Sequence, residues 1–290
     1  MLKGSIVALI TPFDKDGNID WEGLEKLLDF HIKNGTDAIL VLGTTGEPPA
    51  LSEEEKDEIF KFVSEKIDGK LPLIAGAGTN NTQKVIENIK KVRKYGYEYF
   101  LIVTPYYNKP TQEGLFWHYS KIIENTDSKI IIYNVPGRTG CNILPETVLR
   151  IRDKYPENVV AVKEASGKLD QVSELVRGGV EVLSGDDSLT LPMLSIGAKG
   201  VISVFANVLP DVMHSLVSEY LKGNVEKSRE IHLKYYPLMK VLFIETNPAP
   251  VKYAMNLMKL PSGKPRLPLV EVSDKSKEKI KKVLEDLNLI

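Results

Sequence analysis

The sequence predicts an α/β protein, a (β/α)8 TIM barrel with a C-terminal helical extension, on three observations. Short apolar runs alternate with longer amphipathic stretches through eight cycles in roughly the first 220 of 290 residues. The runs are almost continuously apolar, as parallel strands covered on both faces must be. The longer stretches are apolar on one side only, as an outer layer of helices must be. Eight cycles with short connections describe a closed barrel better than the rival architecture, an open doubly wound sheet.

The first cycle joins SIVALIT, from Ser5, to WEGLEKLLDFHIKNG, where Leu24, Leu27, Leu28 and Ile32 recur at helical spacing. AILVLG, from Ala38, precedes SEEEKDEIFKFVSEKI, whose Ser52 and Glu55 form a capping-box signature. PLIAGAG from Pro72 leads into TQKVIENIKKVRKYG, and YFLIVTP from Tyr99 into EGLFWHYSKIIENT. KIIIYNVP from Lys129 precedes PETVLRIRDKY, and VVAVKEAS from Val159 precedes LDQVSELVRGG. The last cycles are VEVLSGD from Val180 with SLTLPMLSIGAKG, and VISVFANV from Val201 with PDVMHSLVSEYLKG. From about Asn224 the pattern is helical, broken by Pro248, Pro250, Pro261, Pro265 and Pro268. Residues 1–223 are expected to form the barrel that carries the active site. Residues 224–290 are expected to pack on it, being too few to hold much core of their own.

The 38 basic and 39 acidic residues leave a net charge of −1, so no global field attracts a nucleic-acid backbone or an anionic membrane. One cysteine, Cys141, excludes an intrachain disulfide and a CxxC metal site, and reads as a small packing residue. The N-terminal apolar run meets Asp14 at once and has no small-residue cleavage pattern, so it reads as a strand and not a signal peptide. No apolar stretch reaches the roughly 18 residues of a membrane span. The expectation is a cytoplasmic protein.

Barrel active sites sit at the C-terminal ends of the strands, which directs attention to polar residues there. Lys163 lies inside VVAVKEAS, on the same strand face as Val159, Ala161 and Ala165. Burial lowers a lysine pKa and frees its lone pair to attack a carbonyl, the requirement for Schiff-base chemistry. The competing reading is a strand-end lysine that reaches solvent or pairs with Glu164. Tyr133 closes KIIIYNVP and is either a proton donor and acceptor at the mouth or a core tyrosine. Arg138, in NVPGRTG, suits bidentate binding of a carboxylate, although a loop arginine is often simply solvated. GTTGE, Gly43 to Glu47, offers close backbone approach and hydroxyl donors to a small anion, a signal that is weak alone. TPYYNKP, from Thr104, and SGDD, from Ser184, end two other strands.

The four histidines, His31, His118, His214 and His232, fall in expected helices with no HxxxH pair, which argues against zinc. Asp186 and Asp187 are candidates for a divalent cation, but adjacent residues on a strand face opposite ways. There is no Walker A sequence, no GxGxxG after the first strand and no GxSxG elbow.

In order and spacing, GTTGE, TPYYNKP, YNVPGRTG, VKEASG, SGDD and GVISVFANV resemble the 4-hydroxy-tetrahydrodipicolinate synthase (dihydrodipicolinate synthase) family. These enzymes belong to the pyruvate-dependent Schiff-base aldolases and lyases. The similarity extends into FIETNPAPVKYAMNLM in the tail, and YNVPGRTG with its arginine resembles the synthase branch more than the sugar-acid branches. The resemblance implies that pyruvate and L-aspartate 4-semialdehyde condense in diaminopimelate and lysine biosynthesis, with no metal or organic cofactor. Lys163 then corresponds to the Schiff-base lysine, and Tyr133 to the general acid/base with Thr44 and Tyr107 as relay partners. Thr45 and the backbone at Ile202 correspond to pyruvate contacts, Arg138 to the aldehyde's carboxylate anchor, and Gly185 to a pocket-lining residue. Tyr107 reaches across a subunit interface in this family, implying a working dimer, usually within a homotetramer. The alternatives are a sugar-acid aldolase and a non-catalytic small-molecule binding protein on the same scaffold.

Departures from the family pattern bear on regulation. Pro48 and Pro49 follow GTTGE where many members carry a serine and a small residue. Lysine-inhibited members place a histidine and a glutamate where Lys56 and Lys84 stand here, while Asn80 and Tyr106 of that pocket are retained. Two ammonium groups there would repel those of a bound lysine, so the sequence predicts weak or absent feedback.

Overall fold

A computed structural model describes residues 2–290. The strands are β1 (Gly4–Ala8), β2 (Ala38–Val41), β3 (Leu73–Gly76), β4 (Tyr99–Val103), β5 (Lys129–Asn134), β6 (Val159–Glu164), β7 (Val182–Ser184) and β8 (Gly200–Ser203). They hydrogen-bond in chain order into a closed barrel. Between them run α1 (Trp21–Lys33), α2 (Glu53–Ile67), α3 (Thr82–Arg93), α4 (Gln112–Thr126), the single turn α5 (Pro136–Thr139), α6 (Pro145–Lys154), α7 (Leu169–Arg177) and α8 (Thr190–Ile196). After β8 come α9 (Pro210–Leu221), α10 (Val225–Val241), α11 (Ala249–Leu257) and α12 (Asp274–Asp286). The expected TIM barrel and C-terminal helices are both present. Among the described residues, no helix is long and apolar enough to cross a membrane.

The local causes are visible. β1, β2 and β8 are buried at every position, which requires the continuously apolar runs that define them. The capping box of α2 forms in both directions: Ser52 Oγ accepts from Glu55 N at 3.1 Å, and Glu55 Oε2 accepts from Ser52 N at 2.8 Å. Asp20, Asn81 and Thr111 cap α1, α3 and α4 by accepting from a backbone N–H in the first turn. Pro250 lies in the first turn of α11 and does not break it, because that N–H would lack a helical partner in any case.

The chain forms two compact units. One comprises Met1–Gly4 and Leu73–Ile202. It holds β3 to β8 in parallel register, with Tyr99 opposite Lys129, Ile132 opposite Val162, and Leu183 opposite Gly200. The other comprises Ser5–Pro72 and Ser203–Ile290. In it β1 pairs with β2, Val7 lying opposite Ile39, and α9 packs on α10, α11 on α12. A buried bond ties its distant segments: Asn207 Oδ1 accepts from Ile10 N at 3.1 Å.

Candidate active site

The β5–β6 register decides the central geometry. Tyr133 stands opposite Lys163, and Asn134 opposite Glu164. Partners in register share a sheet face, so Tyr133 and Lys163 point one way while Asn134 and Glu164 point the other. On the first face, Lys163 Nζ sits 4.3 Å from the centroid of the Tyr133 ring, and both residues are buried. On the opposite face, the Glu164 carboxylate accepts from Asn134 Nδ2 at 3.0 and 3.2 Å, Gln171 Nε2 at 2.9 Å and Ser166 N at 2.7 Å. Glu164 is thereby satisfied away from Lys163. The reading of Lys163 as its ion-pair partner fails, and so does that of a solvent-seeking strand-end lysine, since only 5% of Lys163 is exposed.

Desolvation brings Lys163 down to about 7 from the ordinary lysine value of 10.5. Asp187 opposes the shift by favouring the ammonium, and the Arg138 guanidinium adds to it by repulsion. At neutral pH a substantial fraction of the amine is then an unprotonated nucleophile. Gly185 makes room for it. A Cβ there would lie 2.7 Å from Ala165 Cβ and 3.1 Å from Lys163 Cε, so a larger residue would shift Ala165 and crowd the lysine.

Arg138 stands exposed on the α5 turn, close enough to act electrostatically on Lys163. Ile202 is buried in β8. Tyr107 is 89% exposed on the loop after β4, so it does not pack against Tyr133 within a single chain. Its backbone is left-handed, φ 71°, a conformation that bulky residues rarely hold and that marks a constrained loop. Asn80 Nδ2 donates to the Tyr106 carbonyl at 3.2 Å, and Asn108 Nδ2 to the Asn80 carbonyl at 2.9 Å. Thr44 and Thr45 belong to the other compact unit, in a 3-10 turn, Thr44–Gly46, directly after β2, where Thr45 is buried and Thr44 partly exposed.

Sequence reading offers Asp187 only as a cation ligand and misses its place as the carboxylate acting on Lys163. SGDD does not continue the strand: β7 ends at Ser184, and Asp187 opens a 3-10 turn, Asp187–Leu189, where it is 1% exposed. The alternation rule applied to these two carboxylates therefore had no strand to act on. No cluster of three or more metal-ligating side chains occurs among the described residues.

Comparison with known proteins identifies the family. A 4-hydroxy-tetrahydrodipicolinate synthase of Thermoanaerobacter sp. (strain X514) is 48% identical over 293 residues, covering 100% of this chain and 98% of the relative. A protein of the same name from Caldicellulosiruptor bescii is 48% identical over 291 residues, with coverage of 100% and 98%. Among solved structures, dihydrodipicolinate synthase of Thermotoga maritima matches at TM-score 0.96 and 48% identity, covering 100% of both chains. The dihydrodipicolinate synthetase family profile matches residues 1–287, and the chain belongs to that family.

Proposed function

We propose that the chain catalyses the reaction of the 4-hydroxy-tetrahydrodipicolinate synthases, the condensation of pyruvate with L-aspartate 4-semialdehyde in diaminopimelate and lysine biosynthesis. The observation that carries this reading is a buried, desolvated lysine held against a tyrosine ring at the end of a barrel strand. Lys163 Nζ attacks the pyruvate ketone, and the carbinolamine loses water to give an imine. Loss of a methyl proton converts the imine to an enamine, whose carbon attacks the aldehyde carbon of the semialdehyde. The semialdehyde's own amine then adds to the imine carbon and displaces Lys163, which closes the ring and returns the free amine. Tyr133 handles these protons with Thr44 and Tyr107. Thr45, the backbone at Ile202 and Gly185 hold pyruvate, and Arg138 anchors the carboxylate of the semialdehyde. Every step draws on side chains and the two substrates. The high exposure of Tyr107 in one chain suits a residue that a second subunit covers, as in a dimer or a homotetramer of dimers.

Borohydride reduction in the presence of pyruvate tests the reading. A stable pyruvate-derived adduct on Lys163, located by peptide mass spectrometry, is the expected result. Pyruvate binding without any adduct would leave a binding protein and remove the mechanism.

Feedback is expected to be weak. Lys56 Nζ sits 2.9 Å from Glu53 Oε1, and Lys84 is in the first turn of α3. Both are cations where lysine-inhibited members carry other residues. Turnover measured in sub-millimolar lysine should equal that without it, and inhibition in that range would overturn the prediction.

A further inference from the structure

Glu47, Asn247 and Lys252 have no role in the reaction above, yet they converge on the turn that carries Thr44 and Thr45. Glu47 joins two 3-10 turns, Thr44–Gly46 and Pro48–Ala50, with a left-handed backbone at φ 56° and ψ 39°. A residue with a Cβ adopts that conformation infrequently, so the position is a constrained one. Glu47 Oε1 lies 2.6 Å from Lys252 Nζ, and both side chains are 1% exposed. Glu47 Oε2 accepts from Arg266 N at 3.0 Å. Lys252 Nζ also stands 4.0 Å from the Phe13 ring centroid. Asn247 Nδ2 donates to Thr45 Oγ1 at 3.0 Å, and Thr11 Oγ1 donates to the Gly46 carbonyl at 2.7 Å. Thr45, Gly46 and Glu47 are thus each bonded to residues distant in sequence.

A buried ion pair is a poor device for stability, since desolvation offsets its attraction and an apolar pair of similar volume holds a fold as well or better. Desolvation indeed draws Lys252 down to about 8, against the pull of Glu47. What the pair supplies is fixed direction at a strained backbone position beside two reactive-site hydroxyls.

We propose that Glu47, Lys252 and Asn247 are positioning residues, through which the segment opening α11 fixes the Thr44–Thr45 turn in its reactive geometry. The inference rests on the proposed reaction, in which Thr45 contacts pyruvate and Thr44 relays protons.

The test separates folding from turnover. The double variant E47L/K252M should stay folded, because both desolvated charges go together, although the bond to Arg266 N is lost. Its kcat should nevertheless fall about tenfold to a hundredfold, with a raised KM for pyruvate, as small displacements of positioned groups cost rate steeply. N247A removes the bond to Thr45 and decides the matter if the double variant does not fold. It should raise the pyruvate KM by about threefold or more, with a smaller change in kcat. Folded variants with both constants within about twofold of the parent would overturn the positioning role. Borohydride labelling of the parent is run alongside. An unlabelled parent would sink the proposed reaction, whereas a labelled parent with kinetically unaltered variants would sink the positioning role alone.

Discussion

Replacing Lys163 with methionine, K163M, should lower turnover by at least about 10³-fold and abolish borohydride labelling by pyruvate. Methionine keeps an unbranched apolar chain against the Tyr133 ring and removes the amine alone. The fold should survive, because Glu164, on the opposite face of β6, keeps its bonds to Asn134, Gln171 and Ser166. A second signature comes from proton linkage. Lys163 titrates at about 7 in the folded chain and at the ordinary 10.5 when unfolded. Between those values the unfolded chain binds more protons, so the Lys163 contribution to stability rises with pH across that window and is flat on either side. The change is on the order of a few kcal/mol. Denaturant melts of parent and K163M at neutral and alkaline pH should show this rise in the parent and not in the variant. In the parent, kcat/KM should climb with pH as Lys163 loses its proton, with its acid limb near pH 7. Full activity in K163M would remove the lysine from the mechanism, and equal pH slopes for the two proteins would overturn its lowered pKa.

Lys163 was legible in the sequence because a charge inside an apolar strand run is costly wherever the strand is buried on both faces. Asp187 was not, because the burial of a turn residue depends on what covers the turn, and no local pattern records that. The same limit explains the strand ends. VISVFANV reads as one apolar run, but only Gly200–Ser203 is strand, and Phe205–Asn207 is a buried 3-10 turn. Apolar runs report burial, and buried turns at strand ends are as apolar as the strands they follow. Lys252 stands among apolar residues in APVKYAMN, much as Lys163 does in its strand. It passed unnoticed because a helix normally offers one face to solvent, where a lysine is unremarkable. Glu47 lay in plain view inside GTTGE, but a glutamate beside glycines and prolines in a loop carries no sign of a buried partner 205 residues away.

Y133F removes one oxygen and leaves the ring over Lys163, so it separates packing from proton transfer. The ring stands 4.3 Å from Lys163 Nζ and opposite it in register, and phenylalanine meets the same neighbours. The pyruvate KM should therefore change little. In the proposed reaction the hydroxyl serves each step in which a proton enters or leaves the substrate: dehydration of the carbinolamine, formation of the enamine and protonation of the new alkoxide. Loss of a positioned acid and base typically costs about 10²- to 10⁴-fold, and kcat should fall within that range. Borohydride should still label Lys163, more slowly, because the nucleophile remains and only its proton transfers are impaired. This pattern of retained labelling with lost turnover distinguishes the tyrosine from the lysine, whose removal loses both. A Y133F enzyme with kcat within about twofold of the parent would show that the ring only packs against the lysine, and would move the proton chemistry to another group.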